Sequence, residues 1–284
     1  MIEVLADPFR YEFMRNAVVV CTVGGALCGL IGVYVTLRGL SYLGHGLSHA
    51  IFGGAALSAA VGVNVFVGSW LWGLGSGVAI SRLARSRGAR TIRADAAIGV
   101  VTTAGFAFGV ALLGRYPQVK RSLEATVFGS VLGVSTTDRS LVIGVAVLTV
   151  VVVVARYRPL LFATFDPEVA DVSGMPTGRT DALLMMLLCG VVLTSMRVMG
   201  VTLIAAAIVI PSATARFLTD SFARMLVLST VIGALTGLIG SYLSYHLDIA
   251  SGATIVLVQF ALFVLAVSMA NLSRVPRRPR PRPR

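Results

Sequence analysis

Charged residues are scarce in this chain of 284 residues, where they make up 13 % of the sequence. Soluble domains carry about twice that fraction, so the composition excludes an ordinary soluble protein. Apolar residues make up 56 %, and the mean hydropathy is +0.88. Apolar runs of about 20 residues, enough to cross the hydrocarbon core of a bilayer, recur along the whole length. The composition therefore predicts a protein that crosses the membrane several times.

Nucleotide-binding and catalytic signatures are missing as well. There is no G-x-x-x-x-G-K-[ST] motif, and the single lysine, Lys120, follows R-Y-P-Q-V, so ATP binding through a P-loop is excluded. No H-E-x-x-H motif is present, which excludes the usual zinc site of a metalloprotease. Cys21, Cys28 and Cys189 lie within apolar runs, at spacings that match neither a zinc site nor a disulfide framework. We expect no enzymatic activity and no cofactor bound by this chain.

Positive charge is concentrated in two clusters. The formal net charge is +12, and arginines gather in 82–93 and 274–284. In a membrane protein such clusters remain cytoplasmic and fix the orientation, so nucleic-acid binding is not expected. The alternating Pro and Arg of 274–284 predict a disordered cytoplasmic tail. It follows one transmembrane domain over 1–273 and contacts either anionic membrane lipid or a partner.

Nine apolar segments are predicted to be membrane-spanning helices. They are Asn16–Leu37, Leu47–Val61, Val65–Leu83, Ala94–Leu113, Ser140–Ala155, Asp181–Arg197, Met199–Pro211, Phe222–His246 and Ser251–Leu272. With the N-terminus outside and the C-terminus in the cytoplasm, an odd number of crossings keeps the arginine clusters inside. The apolar stretch Arg121–Val134 is brief and predicts a re-entrant or half helix. The expected fold is an all-α, polytopic transmembrane helical bundle.

Two of the three histidines lie in one glycine-flanked stretch, R-G-L-S-Y-L-G-H-G-L-S-H-A-I-F-G-G. His45 and His49 are four residues apart, so on a helix both imidazoles face the same direction. An ionisable pair between apolar segments is a functional-site hypothesis by default. The alternative is structural, with the pair satisfying backbone groups at a helix end near Gly44 and Gly46.

A polar break separates two apolar segments at L-F-A-T-F-D-P-E-V-A-D-V-S-G-M-P-T-G-R. Asp166 is suited to cap a short helix that has Pro167 at its first position and Gly174 after its end. Glu168 and Asp171 then lie on that helix. The sequence predicts a short amphipathic helix in a cytoplasmic loop, which is either a plain interfacial turn or a docking element for a cytoplasmic partner.

Four segments together resemble the membrane permease subunits of ATP-binding-cassette importers for zinc and manganese. They are L-S-Y-L-G-H-G-L-S-H-A, F-D-P-E-V-A-D-V-S-G, M-G-V-T-L-I-A-A-A-I-V-I-P-S-A-T-A-R and D-I-A-S-G-A-T-I-V-L. The resemblance runs from about Arg15 to Ala270. It implies a multi-pass subunit in the cell membrane of a prokaryote. It also implies a second copy of this chain, two cytoplasmic ATPase subunits and an extracellular metal-binding solute protein as partners.

The same resemblance implies roles for particular residues. The helix within Asp166–Gly174 would couple the permease to the ATPase. The family usually has an aspartate where this chain has His45, followed by the histidine that matches His49, and this pair lines the metal path. A related stretch often carries an acidic residue where Ser130 stands here, which leaves Glu124 as the acidic candidate.

The departure at His45 suggests the substrate. Imidazole nitrogen suits zinc, whereas manganese prefers oxygen ligands. We therefore expect the permease subunit of an ATP-driven zinc importer, with zinc as transported substrate. Manganese, iron or a metal chelate is the alternative substrate within the same class, and an ATP-independent secondary transporter is the alternative mechanism.

The third histidine lies where the last two predicted spans meet, in Y-L-S-Y-H-L-D-I-A-S-G-A-T. His246 and Asp248 are expected at the outer end of a helix. They are candidate metal ligands that receive the ion or help to dock the binding protein. The alternative is a polar helix end at the membrane interface.

Overall fold

The computed structural model describes residues 10–84, 94–116, 129, 133–175 and 177–272. Over these residues the chain is all-α, as predicted, with eleven helices and no strand. The helices are α1 Glu12–Leu37, α2 Ser41–Val61, α3 Val65–Ala84, α4 Ala94–Arg115, α5 Thr136–Ala155, α6 Tyr157–Phe165, α7 Pro167–Val172, α8 Thr177–Met199, α9 Ile204–Leu218, α10 Phe222–Leu247 and α11 Ser251–Leu272.

Within the described ranges, five helices are long and apolar enough to cross a membrane: α1, α5, α8, α10 and α11. Helices α3, α4 and α9 contribute shorter apolar stretches. Each of the nine predicted segments overlaps one of these helices or α2. The number of crossings and the orientation of the termini stay predictions.

The predicted segment Met199–Pro211 is wrong in its bounds. Gly200 has a φ of +79° and is followed by a turn, so α9 begins later and continues through Pro211. The hydroxyls of Ser212 and Thr214 donate to carbonyls three to four residues back in α9. Ser212 also lies 2.6 Å from the hydroxyl of Thr36, which joins α9 to α1.

Glycines allow α1 and α10 to cross with their backbones in contact. A Cβ added at Gly25 would overlap the carbonyl of Gly233, and one added at Gly233 would overlap the carbonyl of Gly25. One turn further along α1, Ser229 donates a hydrogen bond of 2.6 Å to the carbonyl of Gly29. Gly237 also meets the α1 backbone. In lipid no hydrophobic effect drives helices together. Close packing of small residues at such a crossing takes its place.

A second crossing of the same kind holds α2 against α4. A Cβ at Gly53 would overlap the carbonyl of Gly105, and Gly109 lies against Gly53 and the ring of Phe52. These three glycines leave no room for larger residues at the crossing. They fix α2, the helix that carries the histidine pair, against its neighbour.

An aromatic cluster joins several helices at one end of the bundle. Phe222, at the start of α10, has ring contacts of 5.6–5.9 Å with Tyr34, Tyr157 and Phe165. These rings connect the last turns of α1 to α6, which directly precedes α7. We call this end of the bundle the α7 end.

Three predictions fall on residues that the structure does not describe. They are the tail 274–284, all of the arginine cluster after 84, and most of Arg121–Val134 including Glu124.

Candidate metal-transit site

The two histidines of α2 lie side by side, as their spacing predicts. The Nε2 atoms of His45 and His49 are 3.2 Å apart, and the ring planes are nearly perpendicular. At a rise of 1.5 Å per residue, the two residues lie about 6 and 12 Å from the start of α2. His45 is exposed and His49 is half-buried. Tyr42, one turn before His45, is 72 % exposed on the same face.

Glycines determine how α2 presents this face. A Cβ at Gly46 would overlap Thr102 and its neighbours on α4, while Gly44 packs on Ile208 of α9. Because these positions have no side chains, α2 is buried on the sides that face α4 and α9. The ring of His49 lies edge-on to Phe106 of α4, with centroids 4.8 Å apart. The pair is thus supported by packing on one side and open on the other.

The geometry of the pair suits one shared proton or one shared ion. Two nitrogens bound at 2.0–2.1 Å to a tetrahedral zinc ion lie about 3.3–3.4 Å apart. The observed distance of 3.2 Å is close to that value. This distance is compatible with two ligands of one metal ion, and equally with a hydrogen bond between the two rings.

The described part of the chain gives the pair no third metal-ligating neighbour, because no three His, Cys, Asp or Glu side chains come together there to hold an ion. His246 lies in the last turn of α10, against the rings of Tyr242 and Tyr245. Asp248 ends that helix in a left-handed conformation with a φ of +53°. The structure thus brings His45 and His49 together, and it places His246 and Asp248 at a separate helix end.

The short helix α7 forms as its capping residues predict. The Asp166 side chain accepts a hydrogen bond of 2.9 Å from the Val169 backbone, and Pro167 and Glu168 occupy the first turn. Gly174 follows the helix with a φ of +75°. Such a cap stabilises a helix start by about 1 kcal/mol.

The exposed surface of α7 carries two valines beside two carboxylates, and one of these carboxylates is hydrogen-bonded. Val172 is 90 % exposed and Val169 is 48 % exposed, whereas Ala170 is buried. Asp171 accepts hydrogen bonds from the hydroxyl of Thr177 at 2.6 Å and from its backbone nitrogen at 3.3 Å. Asp171 therefore ties α7 to the start of α8, while the two valines are left for an outside surface.

The profile of the family described as "ABC 3 transport family" matches residues 10–270. This match covers far more than half of the chain. The chain belongs to this family of membrane permeases of ATP-binding-cassette metal importers. The resemblance seen in the four sequence segments is confirmed.

Individual relatives of this ABC 3 permease match over nearly their whole length. "Manganese transport system membrane protein MntC" of Halalkalibacterium halodurans is 34 % identical over 256 residues, which are 90 % of this chain and 87 % of that protein. "Chelated iron transport system membrane protein YfeD" of Yersinia pestis is 30 % identical over 94 % of this chain and 89 % of that protein. The solved structure "PsaBC from Streptococcus pneumoniae in complex with Fab" aligns with a TM-score of 0.85 and 32 % identity, over 94 % of this chain and 95 % of that chain.

Sequence reasoning missed one polar contact of this ABC 3 permease. Arg38 follows the last turn of α1, and its Nη1 donates a hydrogen bond of 2.7 Å to Asp181 of α8. The sequence signal for this contact was the position of its two residues. Arg38 directly follows one predicted span, and Asp181 begins another. No periodicity relates them, because they are 143 residues apart.

Proposed function

We propose that this chain is the permease subunit of an ATP-driven importer of a divalent transition metal, and that manganese is its leading candidate substrate. The observation that carries the proposal is the imidazole pair of His45 and His49, 3.2 Å apart on the open face of α2, in a chain of the ABC 3 family. We assign to this pair the transient binding of the ion during transport.

A second copy of this chain completes the proposed site. One chain offers two nitrogen ligands, and the face that carries them is open, with Tyr42 and His45 exposed. Two copies related by a twofold axis would present four imidazoles to the same space. Homodimers with such symmetry are the commonest oligomers, and their shared faces are self-complementary.

The named relatives and the ligand pair favour different metals. Relatives named for manganese and for chelated iron support those substrates, as in MntC and YfeD. Zinc, which the sequence analysis expected, gains no support from these relatives. It remains the second candidate because two imidazoles in place of an aspartate and a histidine make a softer ligand set.

The environment of His49 favours transit over permanent binding. Its Nδ1 is buried and has no hydrogen-bond partner in the described part of the chain. Metal-binding histidines usually donate this second nitrogen to an acceptor, and loss of that acceptor weakens metal binding about 10- to 100-fold. A transported ion must leave its site, so weak coordination is suited to this role.

The partners follow from the same proposal. Two ATPase subunits would bind the α7 helices through Val169 and Val172, and an extracellular metal-binding protein would deliver the ion at the opposite end. With the α7 end in the cytoplasm, the N-terminus lies outside and the arginine-rich C-terminus inside, as the positive charges favour. His246 and Asp248 would then lie at the outer end, where the ion is received.

The test is uptake of radioactive manganese and zinc by proteoliposomes that hold this chain with its ATPase and binding protein. We expect ATP-dependent uptake by the wild type and its loss in His45→Gln/His49→Gln. Ser41→Ala, in the same helix but outside the pair, is the matched control and should transport normally.

The outcomes separate the parts of the proposal. Normal uptake in the double variant would return the two histidines to a structural role. ATP-dependent zinc uptake without manganese uptake would make zinc the substrate. Uptake that needs no ATPase would overturn the proposed ATP-driven mechanism and favour a secondary transporter.

A further inference from the structure

Arg38 is a buried cation that contacts two separate segments at the α7 end. Its side chain is 9 % exposed. Its Nη1 donates to Asp181 at 2.7 Å, and its Nε donates to the hydroxyl of Thr164 at 3.2 Å. A guanidinium remains charged and holds its donors in a fixed planar arrangement. A single side chain therefore fixes α6 and α8 at a defined separation.

The two acceptors flank α7. Thr164 lies in the last turn of α6, two residues before the cap Asp166, and Asp181 lies near the start of α8. Asp171 within α7 is itself bonded to Thr177 of α8. A displacement of α7 therefore reaches Arg38 from both sides, through α6 and through α8.

Arg38 is also linked directly to the histidine helix. Only Gly39 and Leu40 separate it from the first residue of α2. Gly39 has a φ of +66°, and backbone bonds from both residues return to the last turn of α1. This compact turn joins Arg38 to the start of α2, with His45 about one turn further on.

One donor of Arg38 has no acceptor. The Nη2 atom is buried without a hydrogen-bond partner among the described residues. A buried donor without an acceptor is destabilising. Within the described part of the chain, Arg38 therefore holds its two neighbouring segments through Nη1 and Nε.

We propose that Arg38 is the positioning residue that transmits movement of α7 to α2 and its histidine pair. The inference rests on the proposed importer function and adds the route by which the ATPase acts on the metal path. Arg38 does not touch the ion. It acts by keeping α6, α8 and the start of α2 as one unit.

The test compares variants of the complete complex of permease, ATPase and binding protein in proteoliposomes. Arg38→Gln should retain complex formation and ATP hydrolysis but lower the metal transported per ATP about tenfold, within the usual range for coupling between sites. Arg38→Lys, which keeps the charge but cannot reach both acceptors, should fall between. The control is Arg216→Gln, which breaks the exposed pair of Arg216 and Asp220 and should leave the ratio unchanged.

A second measurement does not depend on the metal. The reactivity of Tyr42→Cys toward a water-soluble maleimide reports movement of α2, because position 42 is exposed and the three native cysteines are buried. We expect ATP to change this reactivity in an otherwise wild-type chain, and Arg38→Gln to abolish the change.

Each outcome decides the inference. An unchanged transport ratio in the assembled Arg38→Gln complex would overturn it. If Arg38→Gln does not assemble, Thr164→Val is the deciding variant. It removes the Nε acceptor, together with the bond from the Thr164 hydroxyl to the Leu160 carbonyl within α6, and should lower the ratio by a smaller factor, whereas an unchanged ratio would overturn the inference. Failure of the wild type to transport any metal would instead refute the proposed function.

Discussion

The crossing of α1 with α10 and the exposed face of α2 are both built from glycine-rich helix, but they use it differently. At the crossing, Gly25 and Gly233 bring two backbones of the same chain into contact, and Ser229 of α10 is hydrogen-bonded to the carbonyl of Gly29 in α1. On α2, Gly44 and Gly46 bury the helix on two sides and leave His45 exposed on the third. The first region is completed within the chain, whereas the second is left open on one side.

The two glycine-rich regions are therefore expected to differ in role, one acting in stability and the other in function. Substitutions at the crossing are expected to change whether the bundle forms. Substitutions on the open face of α2 are expected to change what the bundle transports. The three predictions below test that separation, in order of decreasing effect.

The largest effect is expected for Gly233→Leu. The side chain would overlap the carbonyl of Gly25, and backbone cannot give way as a side chain does. Overpacking of this kind costs about 3 kcal/mol or more. We expect little folded protein in the membrane fraction and early reaction of the buried cysteines with a fluorogenic maleimide on heating.

The matched control is Gly144→Leu. Gly144 lies within α5 and has no atom near the position of a Cβ. It should fold and unfold like the wild type. A stable Gly233→Leu protein would show that the crossing does not determine stability.

A smaller effect, confined to the substrate, is expected for His45→Asp. The carboxylate replaces one nitrogen ligand by oxygen and leaves His49 in place, which restores the pair that the family usually has. Manganese uptake relative to zinc uptake should rise several-fold, because manganese prefers oxygen ligands. The ratio is measured with both isotopes in the same proteoliposomes. An unchanged ratio would mean that the pair does not select the metal.

The sequence predicted those features that depend on local pattern. Apolar runs identified the long helices, the four-residue spacing placed His45 and His49 side by side, and the order Asp166, Pro167, Gly174 predicted α7 and its bounds. These features need only residues close in the sequence, so periodicity and capping chemistry are sufficient.

Features that depend on distant residues were not predictable in this way. The glycines of α1 were visible in the sequence, but their pairing with Gly233 on α10 was not. The same holds for Arg38 and Asp181. The predicted segment Met199–Pro211 had the wrong bounds, because α9 begins beyond Gly200 and continues through Pro211.

The smallest effect is expected in a third region, the exposed surface of α7. Glu168 lies in its first turn and has a counterpart in Glu12, which lies in the first turn of α1. Glu168→Gln and Glu12→Gln each remove one favourable charge at a helix start, worth about 0.3–1 kcal/mol. Both variants should therefore fold and lose a similar, small amount of stability.

Only Glu168→Gln should also weaken the response of the ATPase to the loaded binding protein, by about two- to fivefold, the size of one exposed charge contact. The comparison is made by ATP hydrolysis of the reconstituted complex. Equal hydrolysis in the two variants would mean that Glu168 stabilises α7 and does not take part in docking. Docking would then depend on the exposed valines Val169 and Val172. The docking contact of α7 would be apolar, in contrast to the polar face of α2.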